Sequence, residues 1–255
     1  MSFRFISLFV LSLLILTAPV FIFAEGAEEA KPAEVIATTA WTGAFAELAG
    51  IEDYTVLAPY ELQHPPEHTL SPGEIAAISR AEVIIYAGYE VMLERLKAST
   101  AADVRLVQIK TVNTPAVIAE SVKAIAAVRG DREIAEENLA RLDQFFREWR
   151  EELAPYSALP VIVHFHMRPM AEALGLNIVD VFGPAPLEAA QLKRLSESGA
   201  VLIIDNWHSD IGAPLPELLP EAVRAEWINF PGKDQTRSIE DVLRYNRREV
   251  SALLP

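Results

Sequence analysis

The chain has no cysteine in 255 residues. That removes disulfides, thiolate metal ligation and cysteine nucleophiles together, so any transition-metal site must be built from nitrogen and oxygen donors. Basic residues are also few. Lys and Arg number 22 against 36 Asp and Glu, a formal net charge of −14. That balance argues against nucleic acid and anionic membrane surfaces as partners. Histidine is scarcer still, and its distribution is the first positive signal. All five histidines fall in three short clusters: His64 with His68, His164 with His166, and His208. Imidazoles converging from separate segments can grip a borderline-soft divalent cation. The alternative is chance placement of five residues.

Residues 1–24 read as a secretory signal. Arg4 is the only charge there, Phe5–Leu16 is apolar apart from Ser7 and Ser12, Pro19 follows, and small Ala24 suits cleavage before Glu25. The apolar stretch to Phe23 is also long enough for an uncleaved membrane anchor. In either form the remainder is expected outside the cytoplasm, with a periplasmic location fitting best. No cysteine follows the signal, so a lipid anchor is not expected. Loss of Met1–Ala24 would bring the charge to about −15. The Ala, Glu, Gly, Lys and Pro of Glu25–Ala33 look like a short flexible leader.

From Glu34 onward, short β-branched runs alternate with helical patterns, which implies mostly parallel sheets with helices on their faces. Strands are expected at Val35–Thr39, Tyr54–Ala58, Val83–Ala87 and Val104–Ile109, then at Val161–His166, Ile178–Phe182, Val201–Ile204 and Glu226–Phe230. Helices are expected at Trp41–Gly50, Pro72–Arg80, Glu90–Ser99 and Pro115–Val128, then at Pro169–Leu174, Leu187–Ser198, Leu215–Arg224 and Ile239–Leu253. No repeat shows at the level of residue identity. Between the halves, Asp131–Leu153 has no Gly or Pro and carries apolar residues at three- and four-residue steps. This predicts an amphipathic helix of about 23 residues, roughly 34 Å long. The periodicity suits an interlobe strut and an ordinary surface helix equally. The expected organisation is a signal at 1–24, an N-terminal α/β lobe at 25–130, the long helix at 131–154 and a C-terminal α/β lobe at 155–255. Each lobe is expected to hold a mostly parallel four-stranded sheet with flanking helices.

All three histidine clusters fall at strand ends. His64 and His68 lie in a Pro-rich loop, just before a capping box in which Ser71 caps the helix begun by Pro72 and Glu74 reaches back. His164 and His166 close an apolar strand, where a two-residue period would turn both rings to one face. His208 follows Val201–Ile204 through Asp205, Asn206 and Trp207. There Asp205 could ligate, orient a histidine or cap the next turn. Ligands bind at the carboxyl ends of strands in open α/β sheets, so a cleft between two lobes is the expected meeting place.

On these residues the chain resembles the extracytoplasmic metal-binding proteins of ATP-binding-cassette importers for zinc and manganese. The run His68-Thr69-Leu70-Ser71-Pro72-Gly73-Glu74, with Ala81-Glu82-Val83-Ile84-Ile85-Tyr86-Ala87-Gly88 after it, is similar to the family's first ligand histidine, its Pro-started helix and its next strand. His164, eleven residues before Gly175, resembles the ligand that opens the second lobe. Tyr245-Asn246 within Asp241–Leu254 looks like the last helix, and Asp131–Leu153 looks like the interlobe strut. Two departures stand out. The segment Thr111–Pro115 lacks the family's second histidine, and Asn229 stands near the family's closing aspartate.

The resemblance implies two lobes, a limited hinge and a metal in the cleft. The expected function is capture of Zn²⁺, or Mn²⁺, for delivery to a membrane permease, by a monomer that is not an enzyme. His68, His164 and His208 would be the core ligands, with His166 or His64 completing a tetrahedron. The alternative is a secreted metal-dependent hydrolase using three histidines, with Asp205 or Glu67 as base.

Overall fold

The computed structural model describes residues 35–254; the expected signal at 1–24 and leader at 25–33 lie outside the described residues. Two four-stranded, wholly parallel sheets carry the architecture. The first contains β1 (Val35–Ala37), β2 (Thr55–Val56), β3 (Val83–Tyr86) and β4 (Arg105–Gln108), in the order β2-β1-β3-β4. The second contains β5 (Pro160–His164), β6 (Asn177–Phe182), β7 (Leu202–Asn206) and β8 (Val223–Trp227), in the order β6-β5-β7-β8. Both halves therefore share one strand order despite having no visible sequence repeat.

Helices flank both sheets. The first half has α1 (Ala40–Leu48), α2 (Pro72–Ile78), α3 (Leu93–Ser99) and α4 (Pro115–Val128). The long helix α5 (Arg132–Leu153) joins the halves. It is N-capped by Asp131, whose carboxylate accepts from the N–H groups of Glu133 and Ile134. The second half has α6 (Arg168–Ala173), α7 (Ala189–Ser196), α8 (Leu215–Leu218) and α9 (Ile239–Ser251). No described helix is long and apolar enough to cross a membrane.

Alternation along the strands explains the layering. Val35, Val83, Ile85, Val161, Val163, Leu202 and Ile204 all face one continuous core. Ile36 and Ile84 face an outer cluster of the first half, and Ile162 and Ile203 face one of the second. Strands buried on both faces read as unbroken apolar runs, as these do. The shared core spans both sheets. It takes in Phe45 of α1, the buried stripe Ala135, Leu142, Phe146, Trp149 and Leu153 of α5, and Ile239 and Leu243 of α9. The long helix is thus a beam set into a core common to both halves.

Several expected boundaries move, and three of them bear on the second half's sheet and the site. The helix expected over Leu215–Arg224 ends at Leu218, because Pro220 cannot continue it. The strand expected at Glu226–Phe230 lies at Val223–Trp227. The strand expected to run to His166 ends at His164, so His166 sits in the following turn.

Candidate functional site

A cleft of about 720 Å³ opens where the carboxyl ends of the two sheets meet. Thr39 and Trp41 reach it from after β1, His64 and its neighbours from after β2, Tyr89 from after β3 and Asn113 from after β4. Phe165 to Met170 with Glu172 follow β5, Asn206, His208 and Ser209 lie at and after the end of β7, and Asn229 with Phe230 follow β8. The strand order of each sheet explains the location. Successive connections leave β1 and β5 in opposite directions, which opens a crevice beyond their carboxyl ends.

His208 is the most unusual side chain in the cleft wall. It is 5 % exposed, and neither ring nitrogen makes a hydrogen bond of full geometry, although the Asn229 side chain lies close enough to act on the ring. Its ring centroid lies 3.4 Å from that of Phe230, and Trp207 meets it edge-on at 4.9 Å. Burial pushes its pKa down to about 3; Asn229 opposes that shift, while His64 and Lys233 reinforce it. The ring is therefore neutral at ordinary pH, the form that ligates a metal. Asn229 Oδ1 is also buried without a full hydrogen bond. Its position is fixed from behind by Asn246 of α9, which accepts from the N–H of Ile228 and donates to its carbonyl, both at 2.8 Å.

The other histidines divide. His64 and His166 are exposed and line the cleft beside His208. His164 is fully buried and does not line it. Its Nδ1 accepts the His166 N–H at 3.2 Å, which leaves Nε2 to donate to Ser209 Oγ at 3.0 Å. Burial, with His166 beside it, pushes its pKa down to about 4. Gly183 packs so closely that a Cβ there would lie 2.6 Å from His164 Nε2. The His164 and His166 rings are 5.3 Å apart, so the pair stays together although only one ring faces the cleft.

His68 is not among the residues that line the cleft. Its Nε2 contacts Glu74 Oε1 at 2.8 Å, while Glu74 Oε2 accepts the Ser71 N–H at 2.6 Å to complete the capping box. Partial burial works against the charged form of Glu74, but the bonds from Ser71 and His68 prevail and hold its pKa below the usual carboxylate range. Among the described residues, no three His, Asp or Glu side chains gather closely enough to hold a metal ion. The structure therefore brings His64, His166 and His208 to one cleft and holds His68 and His164 in contacts of their own.

Asp205, a candidate ligand or base on sequence grounds, is sealed off. It is fully buried and held by Arg224 at 2.6 Å and by the N–H groups of Asn206 and Gly212. A Cβ at Gly212 would lie 2.6 Å from its carboxylate, so this loop folds directly onto it. Of the three roles open to Asp205, the structure shows the one nearest to capping the next turn: its carboxylate accepts from the N–H groups of Asn206 and Gly212 in the segment that follows.

Sequence reasoning missed the bond joining the halves at the cleft floor and the aromatic walls. Asn113 Nδ2 donates to the Asn229 carbonyl at 2.7 Å, and Asn113 Oδ1 accepts from Trp41 Nε1 at 3.1 Å. Trp41 meets Phe230 across the halves at 5.6 Å. Tyr89 and Phe165 line the cleft and are 52 % and 49 % exposed. Phe165 lies between two histidines at a strand end, a signal that could have marked it.

No protein-family model matches the chain, and no curated protein matches it by sequence. Solved structures do. A crystal structure of ZnuA is similar at 18 % identity with a TM-score of 0.65, over 85 % of this chain and 97 % of that one. A zinc-bound ZnuA lacking residues 138–173 is similar at 20 % identity and TM-score 0.61, covering 84 % and 96 %. A manganese-bound periplasmic metal-binding protein from Candidatus Liberibacter asiaticus is similar at 12 % identity and TM-score 0.61, covering 86 % and 98 %. The likeness is one of fold: this chain has the two-sheet α/β architecture of ZnuA and of that periplasmic metal-binding protein.

Proposed function

We propose that the chain is the extracytoplasmic solute-binding component of an ABC importer, holding a divalent metal in its cleft for delivery to a membrane permease. One observation carries the reading. A neutral, buried imidazole at His208, whose two nitrogens make no full hydrogen bond, stands in a cleft that His64 and His166 also line. A donor set of imidazoles without thiols suits Zn²⁺, whereas Mn²⁺ favours more carboxylate oxygen. The similar structures with zinc or manganese bound support the class of cargo. His208, His166 and His64 are the proposed ligands; they line one cleft without gathering at one point, so side-chain rotation of the exposed His64 and His166 has to bring them to the metal. His164 would join only by exchanging its Ser209 contact for the metal, and His68 only by leaving Glu74. The hydrolase alternative loses one of its two candidate bases, because Asp205 is tied to Arg224.

Thermal melts test the proposal. A ligand that binds only the folded state raises its stability, by about 2.7 kcal/mol when present at 100 times its Kd. Zn²⁺ is expected to raise the melting temperature at pH 7.5 and EDTA to reverse it, with the effect shrinking at pH 5.5 because protons compete with the metal for imidazole nitrogen. Equal melting temperatures in all conditions would remove the metal from the proposal.

A further inference from the structure

The cleft is large for a bare ion. A tetrahedral Zn²⁺ sits about 2.0–2.1 Å from its nitrogen ligands, whereas about 720 Å³ lies within the size range of small-molecule pockets. Its walls are also unusual. Tyr89 from the first half and Phe165 from the second present half-exposed rings to it, and Trp41 and Phe230 line it as well. Large apolar groups left exposed in a concavity mark a binding surface for something apolar. The polar groups complement that picture. His208 and Asn229 keep buried ring nitrogens and a buried side-chain oxygen with no full hydrogen bond beyond their contact with each other, yet no three His, Asp or Glu groups assemble among the described residues. The protein alone is short of donors for a closed metal site.

Resting on the reading that the cargo is a divalent metal, the geometry points to a cleft that takes the metal as a complex with a flat aromatic nitrogen or oxygen chelator. The chelator brings the donors that the cleft lacks. The imidazoles of His208 and His166 take the remaining positions on the metal. The chelator ring stacks against Phe165 and Tyr89, where offset aromatic contacts add to simple burial. A complex that keeps the metal's positive charge also suits walls rich in ring faces, which attract cations.

Isothermal titration of metal-stripped protein tests this with three probes: Zn²⁺ alone, Zn²⁺ with one equivalent of 1,10-phenanthroline, and phenanthroline alone. The 1:1 complex is expected to bind at least about tenfold more tightly than the ion. Phe165→Ala and Tyr89→Ala are each expected to reduce that preference at least about threefold, with thermal melts confirming that both variants fold. If Zn²⁺ alone binds as tightly as the complex, the inference falls and the metal-carrier function stands. If phenanthroline alone matches the complex, the metal contributes nothing and the inference falls as well. If no probe binds, both the inference and the proposed function fall.

Discussion

Among single residues, His208 and His164 separate two uses of a buried imidazole. His164 spends both nitrogens on its neighbours, whereas His208 spends neither. Removing them should therefore act differently. His208→Ala is expected to weaken Zn²⁺ binding at least about tenfold. His68→Ala, at a ring already paired with Glu74, is expected to cost under about threefold. An equal loss at His68 would mean that Glu74 releases it to the metal. The two buried rings also set a pH response. Their folded pKa values, about 4 for His164 and about 3 for His208, lie below the usual 6.5 because burial disfavours the charged ring. Above pH 6.5 both rings are neutral, folded or unfolded. As the pH falls below that, the unfolded chain takes up protons that the fold refuses. Stability then declines by about 1.4 kcal/mol per pH unit for each ring, until the folded rings titrate too. Melts of EDTA-treated protein should fall between pH 6.5 and 4, less steeply in His208→Ala; a flat profile would show that solvent reaches both rings. The histidine clusters and their strand-end positions were legible in the sequence. Which rings face the cleft was not, because that depends on Glu74 and Ser209, ordinary polar residues whose partners only the fold reveals.

At the scale of elements, legibility followed local punctuation. The helix expected at Pro115–Val128 is observed with those bounds, since Pro115 opens it and Gly130 follows its end. The Ser71 capping box is present as expected. The displaced strand β8 shows where such signals stop. It is an edge strand whose Arg224 and Glu226 alternate with inward Ala225 and Trp227, so its charges hid it. Arg224 binds Asp205 of the neighbouring strand, and Glu226 pairs with Lys233. In α5, Trp149 is the element's largest commitment to the core. It is fully buried and meets Trp227 of β8 at 5.6 Å and Phe146 at 6.4 Å. Trp149→Ala is expected to cost about 3–5 kcal/mol through the cavity it leaves. Trp149→Phe should cost less, because it also removes an indole N–H that has no partner. Urea unfolding of the two variants measures the difference, and equal losses would show that α5 repacks around the gap.

For the whole molecule, the sequence conveyed two α/β halves but not that they share one core. Val83 of the first sheet and Val161 of the second belong to the same buried cluster, with α5 between them. Relative motion of lobes is expected unless the surface between them is large and apolar, and here it is a continuous interior. The cleft therefore behaves as a fixed socket rather than a closing jaw. It is braced where Asn113 bonds to the Asn229 backbone, and the exposed rings that line it are Phe165, His166 and Tyr89, the last held by its hydroxyl to Thr111. Small-angle X-ray scattering should return the same radius of gyration with and without Zn²⁺, and a contraction on loading would contradict the rigid core. A rigid socket moves the problem of unloading elsewhere. For the metal cargo proposed above, escape by the halves swinging apart would be closed off, so its residence would be set by ring rotations at the rim, and a docking partner would speed release by pressing on those few side chains alone.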